Sequence, residues 1–533
     1  MKKLFWLILM VIVIFSAYLR LVDLDKNPPH LGNDEISIAY DSYSIRMIGK
    51  DEHGHSWPLS FQSHNDYKAP LYAYLNIPIN YILGNNEYGV RVLSVLASLV
   101  SIVFIALLGK EMGNLGIGIV AAFLLGLNPK NIFASRISFE SNLAAMFVLV
   151  GFWCLVKLWK EKRNIYGVLL GLFWGLSVWA YHTERGLIPI MVIVFSLLSR
   201  KNISIRKLVV FWTTLLVVVL PIFYDFINLT LTNSNGRANT QIWFKGPGSE
   251  DFYNNSNVGL VKKILVLVLG PIHNYLAHFS FDNNFTSGTN LFNQREPLDV
   301  GWFLLATLPI LIVGLVNVKN IFGKWWKGLI VFWLVCPVIP ALTFGGVASV
   351  RNLVFLFPTI LIMAGGWWNL YKKYGMVAKV IVFLILINFI VFSRAYYVFY
   401  PITSGNNFQY GYKQAWEFIK PNIDKYERVV VEDRFGEFGQ FTGVPHLYFG
   451  YFGAFTSEEM QLRHDGGGLA IGKYRFKYVD WNKEVYFPKT VYIVSAINPI
   501  VGHLRDKFKE VGMIRNTDFK QQFLIYETKD LDN

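Results

Sequence analysis

Apolar runs long enough to cross a hydrocarbon core recur along most of this chain, and about 20 such residues have little choice but to form a membrane helix. Eleven are readable, near residues 3 to 22, 90 to 109, 115 to 129, 141 to 158, 165 to 181, 186 to 199, 208 to 231, 301 to 318, 326 to 344, 352 to 370 and 376 to 395. The third and sixth are the shortest. The first follows Met1-Lys2-Lys3 as a signal peptide would, but its apolar region is too long and no small-x-small cleavage site precedes the polar segment, so it reads as a retained anchor. Composition agrees: 16% of the residues are charged, against about 25% in soluble domains. Both cysteines, Cys154 and Cys336, lie inside apolar runs, which excludes a disulfide scaffold and a Cys-based zinc site.

The formal charge of +14 would suggest nucleic acid only if the basic residues shared one exposed face. They alternate instead with the spans. With the N-terminus inside, the connections on the cytoplasmic side hold seventeen Lys and Arg against only Glu111 and Glu161, the bias that orients membrane proteins. The pattern predicts a multi-pass protein of the plasma (inner) membrane, with a cytoplasmic N-terminus and no nucleic-acid partner. Two long external loops follow, 23–89 and 232–300, and residues 1–400 form one membrane domain. The tail, 401–533, carries 17 basic and 17 acidic residues. Strand-like runs at Arg428 to Glu432, Lys489 to Ser495 and Gln522 to Glu527, with amphipathic patterns near Ala415 to Ile419 and Leu504 to Val511, predict a small extracytoplasmic α/β domain.

Chemistry concentrates at the outer boundary. After Arg20-Leu21 come Pro28-Pro29 and then Asp34-Glu35, just before a helix-like stretch from Ile36 to Ile48. Adjacent carboxylates at a membrane edge suit a base and its partner, because proximity and partial burial drive their pKa values apart; a helix cap is the bland alternative. Farther on stand Tyr67-Lys68-Ala69-Pro70-Leu71-Tyr72, Arg91, and Ser135-Arg136 followed by Glu140 before the fourth span. Arg136 and Glu140 are spaced to pair on one helical turn, which is the structural alternative for both. Tyr181-His182-Thr183-Glu184-Arg185 closes the fifth span.

This ordered set, Arg-Leu, Pro-Pro, Asp-Glu, then Lys-x-Pro-Leu-Tyr, then Ser-Arg-x-x-x-Glu, resembles the GT-C membrane glycosyltransferases. Within them it is similar to the protein O-mannosyltransferases (family 39) and the lipid A aminoarabinose transferase. The resemblance covers the first seven or so spans and, more loosely, the chain to residue 400; Ala69 stands where relatives often carry proline. It implies a hexosyl or pentosyl transferase, mannosyltransferase-like. Such an enzyme moves a sugar from a polyprenyl-phosphate donor to a hydroxyl of a protein, lipid or glycan acceptor at the outer face. Asp34 would be the general base, with Glu35 beside it and Glu140 as a further active-site acid. The departing phosphate needs positive charge beside it, and Lys68, Arg136 and Arg351 are the candidates because each lies at an external membrane boundary where basic residues are sparse, with snorkelling to the interface or a plain loop charge as the alternative; Tyr67, His182 and Arg185 would line the donor pocket. A single displacement of this kind inverts the anomeric centre. No cofactor is required by the pattern; a divalent metal is the one the acids could hold, and no residue is assigned to it.

Two rivals stay open. A transporter or lipid-carrier flippase would place ionisable groups at mid-bilayer, where Asp225 and the region of His273 are the exceptions to inspect. An oligosaccharide polymerase or ligase would use a lipid-diphosphate donor. Asp51-Glu52-His53-Gly54-His55 with His64 resembles metal-ligand material but reads as a solvated loop, and Gly466-Gly467-Gly468 lacks the lysine of a phosphate loop.

Overall fold

The structure, a computed structural model, describes residues 2–63, 66–199, 202–231, 258–287, 300–343, 347, 349–436, 441–465 and 468–529. His64, most of loop 232–300 and two of the three glycines at 466–468 lie outside them. The chain divides into two compact units: residues 1–22, 59–72 and 91–395, and residues 23–58, 73–90 and 396–533.

The first unit is helical. Every apolar run of the sequence forms helix, and nine helices among the described residues are long and apolar enough to cross a membrane, ten if a bent pair is counted as one span. The protein is therefore a membrane protein. The bent pair, Leu115–Gly126 and Pro129–Ser135, turns by 61°. Asn128 begins the second half by accepting the Asn131 backbone N–H at 2.8 Å, and Pro129 follows at a position where its missing N–H costs nothing. Asn164–Ala180 and Leu305–Val316 are shorter. Small residues let the helices approach: a Cβ on Gly366 would strike the Ile310 carbonyl. Phe152 stacks on Phe332 with ring centroids 4.4 Å apart.

One element departs from the sequence reading. Residues Leu260–Ala277 form an apolar helix, continued to Thr286, inside the segment read as loop 232–300. Lys262, Lys263 and Pro271 interrupt the hydropathy that would have marked it.

The second unit joins pieces that the sequence reading kept apart, since residues 23–58 and 73–90 group with the tail. At its centre is a seven-stranded sheet: β1 (Arg428–Val431), β2 (His464–Asp465), β3 (Leu469–Ile471), β4 (Tyr474–Phe476), β5 (Thr490–Ser495), β6 (Phe508–Arg515) and β7 (Gln521–Thr528). The order across the sheet is β6-β7-β5-β1-β4-β3-β2, with β1 parallel to both β4 and β5 and the other pairs antiparallel. The central strands are apolar on both sides because both faces are covered. Val429 and Val431 enter one core with Leu31, Ile36, Tyr40, Trp416 and Tyr448; Val430 enters another with Trp481, Tyr492 and Leu524.

The stretch 504–511, expected as helix, is a short 3-10 turn leading into β6. Pairing with β7 from Phe508 to Arg515, through a bulge between Glu510 and Gly512, outweighs the local periodicity. Gly512 permits it, because any Cβ there would meet the Phe418 ring.

Glu432, just beyond β1, is fully buried and accepts the Ser495 backbone N–H at 2.7 Å and Asn498 Nδ2 at 2.8 Å. Burial, against these two hydrogen bonds, raises its pKa from the ordinary 4.5 to about 7. A value raised on folding contributes stability that is fully present below the unfolded pKa and lost as pH rises through the folded one. Thermal denaturation should therefore show stability falling between about pH 5 and pH 8, by roughly 3 kcal/mol, and Glu432→Gln should flatten that slope.

Candidate active site

The acids of the first loop belong to the unit built on the sheet. Helix Asn33–Ile48 begins at Gly32, and Asp34 and Glu35 occupy its first turn, where negative charge meets the positive end of the helix dipole. Glu35 is 2% exposed and turns back to accept the Gly32 N–H at 2.9 Å, one half of a capping box. The cap reading thus holds for Glu35. Asp34, one residue earlier, is exposed.

The approach to this turn is pinned at every step. Asn27 donates to the Tyr396 carbonyl at 2.9 Å. His30 stacks on Tyr448 with centroids 4.7 Å apart and places Nδ1 3.1 Å from the Phe408 carbonyl. Tyr448 donates its hydroxyl to the Leu31 carbonyl at 2.5 Å. Asp34 therefore stands on a backbone held by the tail's own core.

These contacts separate cap from chemistry. Glu35→Gln keeps an acceptor for the Gly32 N–H and should melt like the wild type, whereas Glu35→Ala should lose about 1 kcal/mol. A fall in transfer activity in the Gln variant alone would give the carboxylate a role beyond the cap.

Other first-loop groups form a buried polar cluster rather than a solvated loop. Asp51 is fully buried, accepts the backbone N–H groups of His53 and His55, and lies 3.1 Å from His55 Nδ1. Glu52 is reached by His446 Nε2 at 3.3 Å and Arg463 Nη1 at 3.9 Å, and its own N–H donates to Asp41 at 3.0 Å. Burial would raise the Glu52 pKa, but the hydrogen bond and charge of His446, with His53 and Arg463, outweigh it and hold the group at about 2. Burial lowers His53. Among the described residues no group of three or more His, Cys, Asp or Glu could hold a metal ion.

The remaining candidates lie in the helical unit. Lys68 ends the strand Asp66–Lys68, paired antiparallel with Phe61–Ser63, and is 4% exposed; Tyr67 beside it is half-buried. Arg136 is fully buried, caps the C-terminus of helix Pro129–Ser135 and donates Nη1 to the Leu19 carbonyl at 3.1 Å. Glu140 opens the next helix, Glu140–Glu161. Residues 137–139 break the helix between them, so Arg136 and Glu140 do not share one helical turn. His182 and Arg185 lie in the first turn of helix His182–Ser199, with the Arg185 guanidinium over the Phe226 ring at 5.8 Å. Arg351 is half-buried on the irregular segment Ser349–Phe355. Of the mid-span exceptions, Asp225 accepts the Ser60 hydroxyl at 2.6 Å, and His273 is exposed on its helix.

Sequence reasoning missed the role of Arg20. It is fully buried, donates Nε to Ser98 at 2.8 Å and Nη2 to Asn131 Oδ1 at 2.7 Å, and reaches the Ser16, Leu125 and Gly126 carbonyls at 3.0, 3.4 and 3.2 Å. The bend after Gly126 leaves helix-end carbonyls without an internal donor, and the guanidinium supplies one. Paired polar neighbours, Ser98 and Asn131, were the available signal.

This architecture resembles that of the GT-C membrane glycosyltransferases. Residues 67–225 match the family described as dolichyl-phosphate-mannose-protein mannosyltransferase, a segment holding Lys68, Arg136, Glu140, His182 and Arg185. Among solved structures, ArnT from Cupriavidus metallidurans, bound to undecaprenyl phosphate and in the apo state, shares the fold over 98% of both chains at 13% identity and a TM-score of 0.54. The Archaeoglobus fulgidus oligosaccharyltransferase matches at 14% identity and a TM-score of 0.47, over 80% of this chain and 62% of its own. The mycobacterial arabinofuranosyltransferase AftD matches at 10% and 0.49, over all of this chain and 40% of its own. No curated protein matches the sequence.

Proposed function

We propose that the protein transfers a sugar from a polyprenyl-phosphate carrier to an acceptor hydroxyl of a protein, lipid or glycan, at the outer face of the plasma membrane. The observation that carries this reading is the coincidence of the matched segment 67–225 with the buried cations Lys68 and Arg136. An ArnT of the same fold has been solved with undecaprenyl phosphate.

In this reading Asp34 takes the proton of the acceptor hydroxyl as the oxygen attacks the anomeric carbon. The bond from that carbon to the carrier phosphate breaks, and the phosphate leaves with the electron pair. Lys68, Arg136 and Arg351 serve the departing charge, which fixed cations in a water-poor setting stabilise more than water does. Glu140, Tyr67, His182 and Arg185 contact sugar or carrier, Glu35 holds the turn that presents Asp34, and the outcome is inversion.

The test supplies the protein in lipid with a panel of monosaccharide polyprenyl monophosphates and envelope acceptors. Product from a monophosphate donor is expected. Product only from a lipid diphosphate would make the enzyme an oligosaccharide polymerase or ligase, and carrier translocation without bond transfer would make it a flippase.

A further inference from the structure

In the second unit the chain leaves β1, returns on one side as β4, and then crosses to the other side as β5, both parallel to β1. Such a reversal opens a crevice at the carboxyl ends of the strands, the position where open α/β sheets bind ligands. A cavity of about 150 Å³ lies there, at the end of β5 and beside the β6-β7 turn, lined by Asn406, Gly436, Ser495, Asn516, Asp518 and Gln522 among others. One water needs only roughly 10 to 15 Å³.

Four observations give the cavity a chemical character. Its lining is rich in side-chain amides, each both donor and acceptor, as a sugar hydroxyl is. Gln522 is 4% exposed, and among the described residues its Nε2 has no hydrogen-bond partner; a buried donor left so costs about 1 to 3 kcal/mol until something accepts it. Charge is balanced, with Lys520 Nζ 3.9 Å from Asp518 Oδ2. At the turn between them Phe519 is 73% exposed at φ 66°, a conformation bulky residues rarely adopt. Strain of this kind is retained where the side chain has work to do, and an exposed aromatic ring on the turn that also carries Asn516 and Asp518 suits the apolar face of a sugar ring.

The frame is rigid. Glu432 ties the end of β1 to Ser495, Asn516 Nδ2 donates to Asn406 at 2.9 Å, and Gly405 leaves room that any Cβ would take from the Asn516 amide. We propose that this cavity binds a neutral saccharide, with Gln522 and Asn516 on its hydroxyls and Phe519 against its ring. This does not rest on the transfer reaction, so Asp34→Asn should bind saccharide as the wild type does.

The experiment is saturation-transfer NMR on the full-length protein in detergent, with mannose, glucose, galactose, N-acetylglucosamine and their disaccharides, and glucuronic acid as the charged comparator. At least one neutral sugar should bind. Phe519→Gly and Gln522→Leu should each weaken it by about tenfold or more. Phe519→Gly relieves the positive φ, so its loss of binding cannot be ascribed to unfolding. No signal from any neutral sugar at millimolar concentration, preference for glucuronic acid, or binding unchanged in Phe519→Gly would overturn the proposal.

Discussion

Asp34→Asn should leave the protein folded and lower transfer from a polyprenyl-phosphate sugar by about 10²- to 10⁴-fold, the range that a positioned base contributes. Asp34 is exposed and asparagine keeps its size and one acceptor oxygen, so the substitution should barely move the melting curve. Donor binding should persist, because Lys68 and Arg136, the proposed phosphate partners, are untouched. The defect should therefore fall on kcat rather than on KM. An Asn variant with normal turnover would remove Asp34 as the base and leave the transfer reading to seek another.

Arg20→Met should be strongly destabilising to the helical unit, costing about 3 to 5 kcal/mol. The methionine fills most of the volume but abandons Ser98, Asn131, the Ser16 carbonyl and the two helix-end carbonyls of Leu125 and Gly126 at once. Arg20→Lys should rescue only part, since one ammonium cannot reproduce a planar fork of donors. The measurement is the denaturation midpoint in detergent together with the yield of monodisperse protein; a Met variant as stable as the wild type would mean that those acceptors find other donors.

What could be read in advance follows the range of the interactions involved. Helices announced themselves through unbroken hydropathy, and the central strands through Val429, Val430 and Val431, because both signals are local. Leu260–Ala277 was hidden by two lysines and a proline. The partnership of Leu31, Ile36 and Tyr40 with Trp416 and Tyr448 left no local trace, being made across most of the chain, and so the first loop was read as part of the membrane domain. Among the candidate residues, the types and order of Lys68, Arg136 and Glu140 were legible. The cap role of Glu35, the clustering of Glu52 with His446, and the bracing role of Arg20 were not, because each depends on a neighbour that only folding supplies.

The hydrogen bond from Tyr448 to Leu31 joins residues 417 positions apart. At about 5 to 20 residues per second, a ribosome that has finished residue 31 needs roughly 20 to 80 seconds to reach its partner. Through that interval the Asp34 turn lacks the core that holds it, and a chain stopped short of residue 448 never acquires it. With Asp34 as the proposed base, competence is thus a late event in the life of each molecule, and half-made copies resident in the bilayer would be silent toward their substrates.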